Sequence, residues 1–160
     1  MLRSIFAGLY VMMAHLMLNL NRPAASASWL HRAADLGDCL AQCRLGERYS
    51  TGNGVELNYQ IAVSWFTAAA AQGSMYAAAN LGWLNYEGLG VQQSYESAIS
   101  WYESAAHKGH PESQYNVGLM YADSLGVNQD LNKAIGWLES ARRLGIEEAD
   151  EALKKLKNET

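Results

Sequence analysis

The chain has 160 residues, 49% of them hydrophobic, with 12 Lys+Arg against 16 Asp+Glu and a net charge of −4. That is one domain's worth of material with enough apolar surface for a continuous core. Positive charge is scattered, apart from Arg142–Arg143 and a lysine cluster (Lys154, Lys155, Lys157) set among acids. No basic stripe exists for a phosphate backbone, so nucleic acid is not an expected partner. Two cysteines, Cys39 and Cys43, make no disulfide framework and leave the redox compartment open.

Residues 1–27 are the compositional anomaly. After Met1-Leu2-Arg3-Ser4, Ile5 to Leu20 is apolar apart from His15 and Asn19, and Ala24-Ala25-Ser26-Ala27 follows Pro23. A positive start, an apolar run of about 16 and an Ala-Ser-Ala site read as a secretory signal peptide. The run is short for a spanning helix but suits a tether. A second reading makes it a degenerate capping helix, because Leu2 to Gly37 is 36 residues long and Leu9 falls in register with Leu45 and Leu81. Against that, Tyr10 replaces a small residue, Leu16 and Leu18 replace loop glycines, and a cap needs a polar outer face. Both readings stand at this point.

From Pro23 on, a repeat organises the chain. Trp29, Trp65, Trp101 and Trp137 stand 36 residues apart. Gly37, Gly73, Gly109 and Gly145 keep the same period, as do Gly46, Gly82 and Gly118, and Gly54, Gly90 and Gly126. Gly52 and Gly88 form a shorter series that ends at Ser124. A repeat of this length is one supersecondary unit that buries its apolar face only by stacking on copies of itself. The units are 38–73, 74–109 and 110–145. Residues 28–37 end a half unit, and 146–160 form a closing amphipathic helix.

Within 38–73, the first segment from Cys39 to about Ser50 places Ala41, Leu45 and Tyr49 on one helical face. Gly-Asn-Gly-Val reverses the chain, with Val55 turned inward. Asn58, with its counterparts Ser94 and Asp130, sits where an N-cap belongs. A second helix follows from about Tyr59 to Gln72, and Gly73 closes it. Gly46, Gly82 and Gly118 lie inside helices, where glycine costs about 1 kcal/mol against alanine. They imply close helix approach, with Ala62, Ala98 and Ala134 as the expected partners. The ladder tryptophans read first as core knobs.

The string Leu-Gly-x-x-Tyr, then Gly-x-Gly-Val, a capping residue, and Ala-x-x-Trp-Phe/Tyr-x-x-Ala-Ala-x-x-Gly resembles the Sel1-like repeat (SLR) family. This is a relative of the tetratricopeptide repeat with a longer unit. Asn85 replaces the tyrosine of the second unit, Ser124 a loop glycine and Arg142 an alanine. The resemblance implies an all-α fold, an α-solenoid in which antiparallel helix pairs wind a right-handed superhelix with first helices on the concave face. It also implies an adaptor for a protein or peptide partner, in bacteria often exported, with envelope, host-interaction or toxin-immunity roles. Cysteine-rich secreted members clip first helix to second by a disulfide. No second helix here carries a cysteine, so that subtype does not transfer.

By the tetratricopeptide rule, the concave positions include Glu47 on the first unit and Tyr76, Trp83, Tyr86 and Glu87 on the second. Tyr115 and Leu119 follow on the third. Trp83 lies outside the ladder, so packing does not ask for it, and with Tyr76, Tyr86 and Tyr115 it forms an expected aromatic strip. The bland alternative is that these rings merely cover the groove. Cys39 and Cys43 are one turn apart, but with His31 as the sole neighbour they make half a metal site. His107 and His110 flank the Gly109 turn and read as solvated loop. No dinucleotide, G-x-S-x-G, S-x-x-K or H-E-x-x-H pattern occurs. No catalytic residue, cofactor or metal is expected. Ile5 to Leu20 remains as an export address, a membrane tether or a self-association helix, with a periplasmic, secreted or membrane-tethered location set against a cytoplasmic one.

Overall fold

The computed structural model describes residues 2–159. Among them are nine α-helices and no strand. They are α1 Leu2–Asn19, α2 Pro23–Asp35, α3 Cys39–Thr51, α4 Tyr59–Ala71, α5 Met75–Glu87, α6 Tyr95–Ala106, α7 Pro111–Ala122, α8 Leu131–Arg143 and α9 Glu148–Glu159. The fold is all-α, a chain of helix pairs of the solenoid class. It divides into two compact units, one reaching to Ala77 and taking in Leu89–Val91, the other made of Ala78–Gly88 and the chain from Gln92 on.

The expected caps form. Asn58 accepts from Ile61 N–H at 3.0 Å, Ser94 from Ser97 at 3.1 Å and Asp130 from Lys133 at 3.0 Å. Asp38 does the same for α3 at 2.8 Å. Each cap satisfies a backbone donor that the first turn otherwise leaves unpaired. His110 departs from its reading as a solvated loop residue. Its Nδ1 accepts from Ser113 N–H at 3.2 Å and caps α7.

The loop glycines answer a second demand besides turning. Gly54 (φ +78°) lies on the start of α2, where a Cβ would stand 2.6 Å from the Pro23 carbonyl. Gly90 and Gly126 meet Tyr59 and Tyr95 in the same way. Pro23, Tyr59 and Tyr95 are again 36 apart. The loop of each unit thus seats on the second helix before it, and only a residue without Cβ fits.

The atoms nearest the helical glycines belong to the residue after each ladder tryptophan: a Cβ at Gly46 would lie 2.6 Å from the Phe66 ring, and one at Gly82 equally close to Tyr102. At Gly118 the neighbours are Leu138 and the Ala134 carbonyl. The ladder tryptophans are only half-buried. The enclosed knob is the residue after each: Leu30, Phe66, Tyr102 and Leu138, at most 6% exposed. An indole is too large for the slot beside a helical glycine, so it shoulders the seam. Trp65 meets His31 edge-on at 5.8 Å, and Trp137 meets His107 at 5.0 Å.

In the first unit, Leu30, Ala33 and Ala34 of α2 pack on Ala41 and Leu45 of α3, with Ala14 of α1. In the second, Ala98, Ile99 and Tyr102 of α6 pack on Val117 and Met120, while Ala149, Leu153 and Leu156 close α9 over α8. Helix α1 buries Ala7 and Ala14 and leaves most of its other apolar residues exposed.

Candidate functional site

In the second unit, α5 buries Leu81 and Leu84 and presents Gly82 to the Tyr102 ring. Helical spacing then turns Trp83, Tyr86 and Glu87 to the other side. Helix α7 buries Val117 and Met120 against α6, which leaves Asn116, Leu119 and Asp123 on the face toward them. Between the two faces lies a cavity of about 290 Å³. Trp83 (38% exposed) and Tyr86 supply aromatic surface, Glu87 and Asp123 stand exposed at the rim, and Leu119 and Leu125 add aliphatic surface. Tyr86 is braced edge-on by Tyr95, with ring centroids 5.1 Å apart.

The floor is polar where the scaffold does not require it. Tyr102 is the counterpart of Phe66 and Leu138, yet it carries a hydroxyl, which is hydrogen-bonded to the Asn116 side chain. Burial holds this phenol well above its ordinary range, with Tyr86 and Glu87 adding to the shift and Asn116 opposing it. The group therefore stays a neutral hydrogen-bonding hydroxyl.

The other expected residues are not in this lining. Tyr76 (57% exposed) belongs to the first unit, where it lines a groove of about 640 Å³ with Leu40, Cys43, Arg44 and Glu47. Partial desolvation raises the Glu47 carboxyl, and Arg44 and Arg48 pull it back. Tyr115 packs against the cluster that α8 and α9 build, beside the carboxylates of Glu148 and Glu151. Of the aromatic residues expected from sequence, Trp83 and Tyr86 line one cavity with Glu87 and Leu119, and Tyr115 is not in its lining.

Sequence reasoning passed over Arg48. Its register counterparts are Leu84 and Met120, both buried, and Arg48 is itself 8% exposed. The guanidinium donates to the Pro23 carbonyl at 3.3 Å, the Asn53 carbonyl at 3.0 Å and the Ser26 hydroxyl at 3.0 Å. A charge in an apolar register position was the signal available. The role it marks is local, tying the α3 loop to the start of α2.

The cysteines do not form a metal site with His31. His31 Nε2 pairs with the Tyr49 hydroxyl at 3.0 Å, and the Cys39 thiol donates to the Ala69 carbonyl. Burial, with Glu47 adding to it, pushes the Cys43 thiol up to about 11. Among the described residues no group of three or more His, Cys, Asp or Glu side chains is placed to hold a metal.

A family profile described as the Sel1 repeat matches residues 22–38, 39–74, 76–110 and 111–146. The curated proteins give no match. Among solved structures, a protective antigen present in uropathogenic Escherichia coli strains and displaying an SLR fold superposes with a TM-score of 0.88 at 26% identity. The match covers 92% of this chain and 32% of that one. A Sel1 repeat protein from Oxalobacter formigenes gives 0.85 at 30% identity, over 92% of this chain and 60% of the other. Helicobacter pylori cysteine rich protein B shares the fold, with a TM-score of 0.63 at 23% identity over 78% of this chain and 94% of that one. The chain thus spans about a third and three fifths of the first two structures.

Proposed function

This chain belongs to the Sel1 repeat family, and from that premise we propose that it is a non-catalytic adaptor holding a peptide or protein partner on its first-helix face, centred on Trp83. Repeats of this family typically serve as protein–protein interaction modules. The observation that carries the reading is Trp83 itself. It is 38% exposed beside a cavity, at a position where the other units carry Glu47 and Leu119. The tryptophan ladder does not extend to that position, and half-exposed tryptophan and tyrosine beside a pocket are the side chains that dominate binding hot spots. Affinity capture with wild type and Trp83→Ala tests it. A partner retained by the first and lost by the second, with melting curves alike, supports the reading. Loss of the fold instead places Trp83 in the scaffold and removes the site.

Helix α1 supports a second reading, an exported or membrane-tethered envelope component. Its 18 residues have a mean hydropathy of 1.2 and are long and apolar enough to cross a membrane. At 1.5 Å per residue they reach about 27 Å, near the hydrocarbon thickness of a bilayer. Ile5, Leu9 and Met12 are 62%, 50% and 68% exposed, whereas their register counterparts Ala41, Leu45 and Arg48 are buried. That strip suits lipid, and a second copy of the chain is the other occupant it fits. N-terminal sequencing of protein from cell fractions tests export: a mature start near Ser28 supports it, and an intact Met1 in the cytosol refutes it. Deleting residues 2–20 and weighing the product in solution tests self-association, which an unchanged oligomer rules out.

A further inference from the structure

We propose that the cavity beside Trp83 takes the side chain of one basic residue, lysine or arginine, from the partner. This rests on the adaptor reading above and names the chemistry its site recognises. The size comes first: about 290 Å³ is at the lower edge of what a small-molecule ligand needs, and it suits a single long side chain. The charge comes next. Glu87 and Asp123 are both in the lining, and no Lys, Arg or His is. An acidic side chain would meet two like charges.

The surface chemistry separates a cation from an apolar anchor. Trp83 and Tyr86 offer the electron-rich ring faces that attract ammonium and guanidinium groups. The hydroxyl of Tyr102 and the amide of Asn116 lie at the floor, joined to each other. A hydroxyl and an amide have more hydrogen-bonding capacity than one shared bond uses. A leucine or phenylalanine would cover that capacity without a partner, which is costly. A guanidinium or ammonium, which only donates, would satisfy the accepting part of it while its aliphatic stem lies along Leu119 and Leu125. The hydroxyl breaks the repeat: Tyr102 stands where the other units have Phe66 and Leu138.

The test uses the full chain, labelled with nitrogen-15, and three probes: N-acetyl-arginine methylamide, its neutral isostere N-acetyl-citrulline methylamide, and N-acetyl-glutamate methylamide. The signals to follow are the Trp83 indole N–H and the Asn116 side-chain amide. The proposal expects saturable shifts with the arginine probe, binding about tenfold weaker for citrulline, and none for glutamate. In Glu87→Gln/Asp123→Asn the arginine probe should weaken by about tenfold, towards the citrulline level, while the melting curve stays unchanged. Equal binding of arginine and citrulline overturns the proposal, as does an unchanged arginine affinity in the double variant. A partner lost with Trp83→Ala but kept by the double variant overturns the basic-residue assignment and leaves the adaptor reading standing.

Discussion

The Tyr102 ring packs on the bare backbone of Gly82, so closely that a Cβ there would lie 2.6 Å from a ring carbon. This contact lets one side chain serve two ends. The ring fills the core slot that Phe66 and Leu138 fill elsewhere, and the hydroxyl reaches the floor of the Trp83 cavity.

Gly82→Ala should therefore destabilise the chain. Overpacking costs about 1–3 kcal/mol, and better helix propensity returns about 1 kcal/mol. A net loss of up to about 2 kcal/mol by urea unfolding is expected. Unchanged stability would mean that Tyr102 moves aside freely.

Arg48→Met matches the apolar register of Leu84 and Met120, yet it should destabilise. It strips two part-buried carbonyls and the buried Ser26 hydroxyl of their donor. Losing such partners costs about 1–3 kcal/mol. A stabilised variant would show that repeat register outweighs the hydrogen bonds.

His110 gives the stability a pH dependence. Its Nδ1 must be unprotonated to accept from Ser113 N–H, and burial lowers its pKa, with Glu112 opposing. The unfolded chain then binds a proton that the folded chain resists. This contribution is complete well above the ordinary histidine value of about 6.5 and fades as pH falls through that value toward the lower folded one. His110→Asn keeps a capping acceptor without the titration. Its melting temperature should change less than that of wild type between pH 7.5 and pH 5. Parallel curves would contradict the assignment.

Cys43 should be inert in the folded chain. Burial pushes its thiol up to about 11, so little thiolate exists near pH 8. A disulfide reagent at that pH should label Cys43 only as the chain unfolds, read by mass spectrometry. Rapid native labelling would contradict it.

The repeat was legible because glycine, tryptophan and capping residues answer backbone demands that recur every 36 residues. Asn58, Ser94 and Asp130 cap where their spacing put them. What the pattern hid was depth. A tryptophan ladder looks like core, but the slot beside Gly46 takes Phe66, and Trp65 stays at the shoulder. Tyr115 shared a register with residues facing a groove, and only the closing helix α9 showed that it packs there. Arg48 and Tyr102 were visible as departures, one a charge and one a hydroxyl among apolar counterparts. Their roles needed coordinates, because a polar atom's meaning lies in the partner it reaches.

The most direct test of the Trp83-centred site is fluorine NMR of the chain labelled with 5-fluorotryptophan, titrated with the partner recovered by affinity capture. Five signals are expected, one for each tryptophan, with that of Trp83 identified by Trp83→Phe. The Trp83 signal should shift and broaden while those of Trp29, Trp65, Trp101 and Trp137 hold still. A partner that moves the ladder signals and leaves Trp83 unmoved would contradict the account.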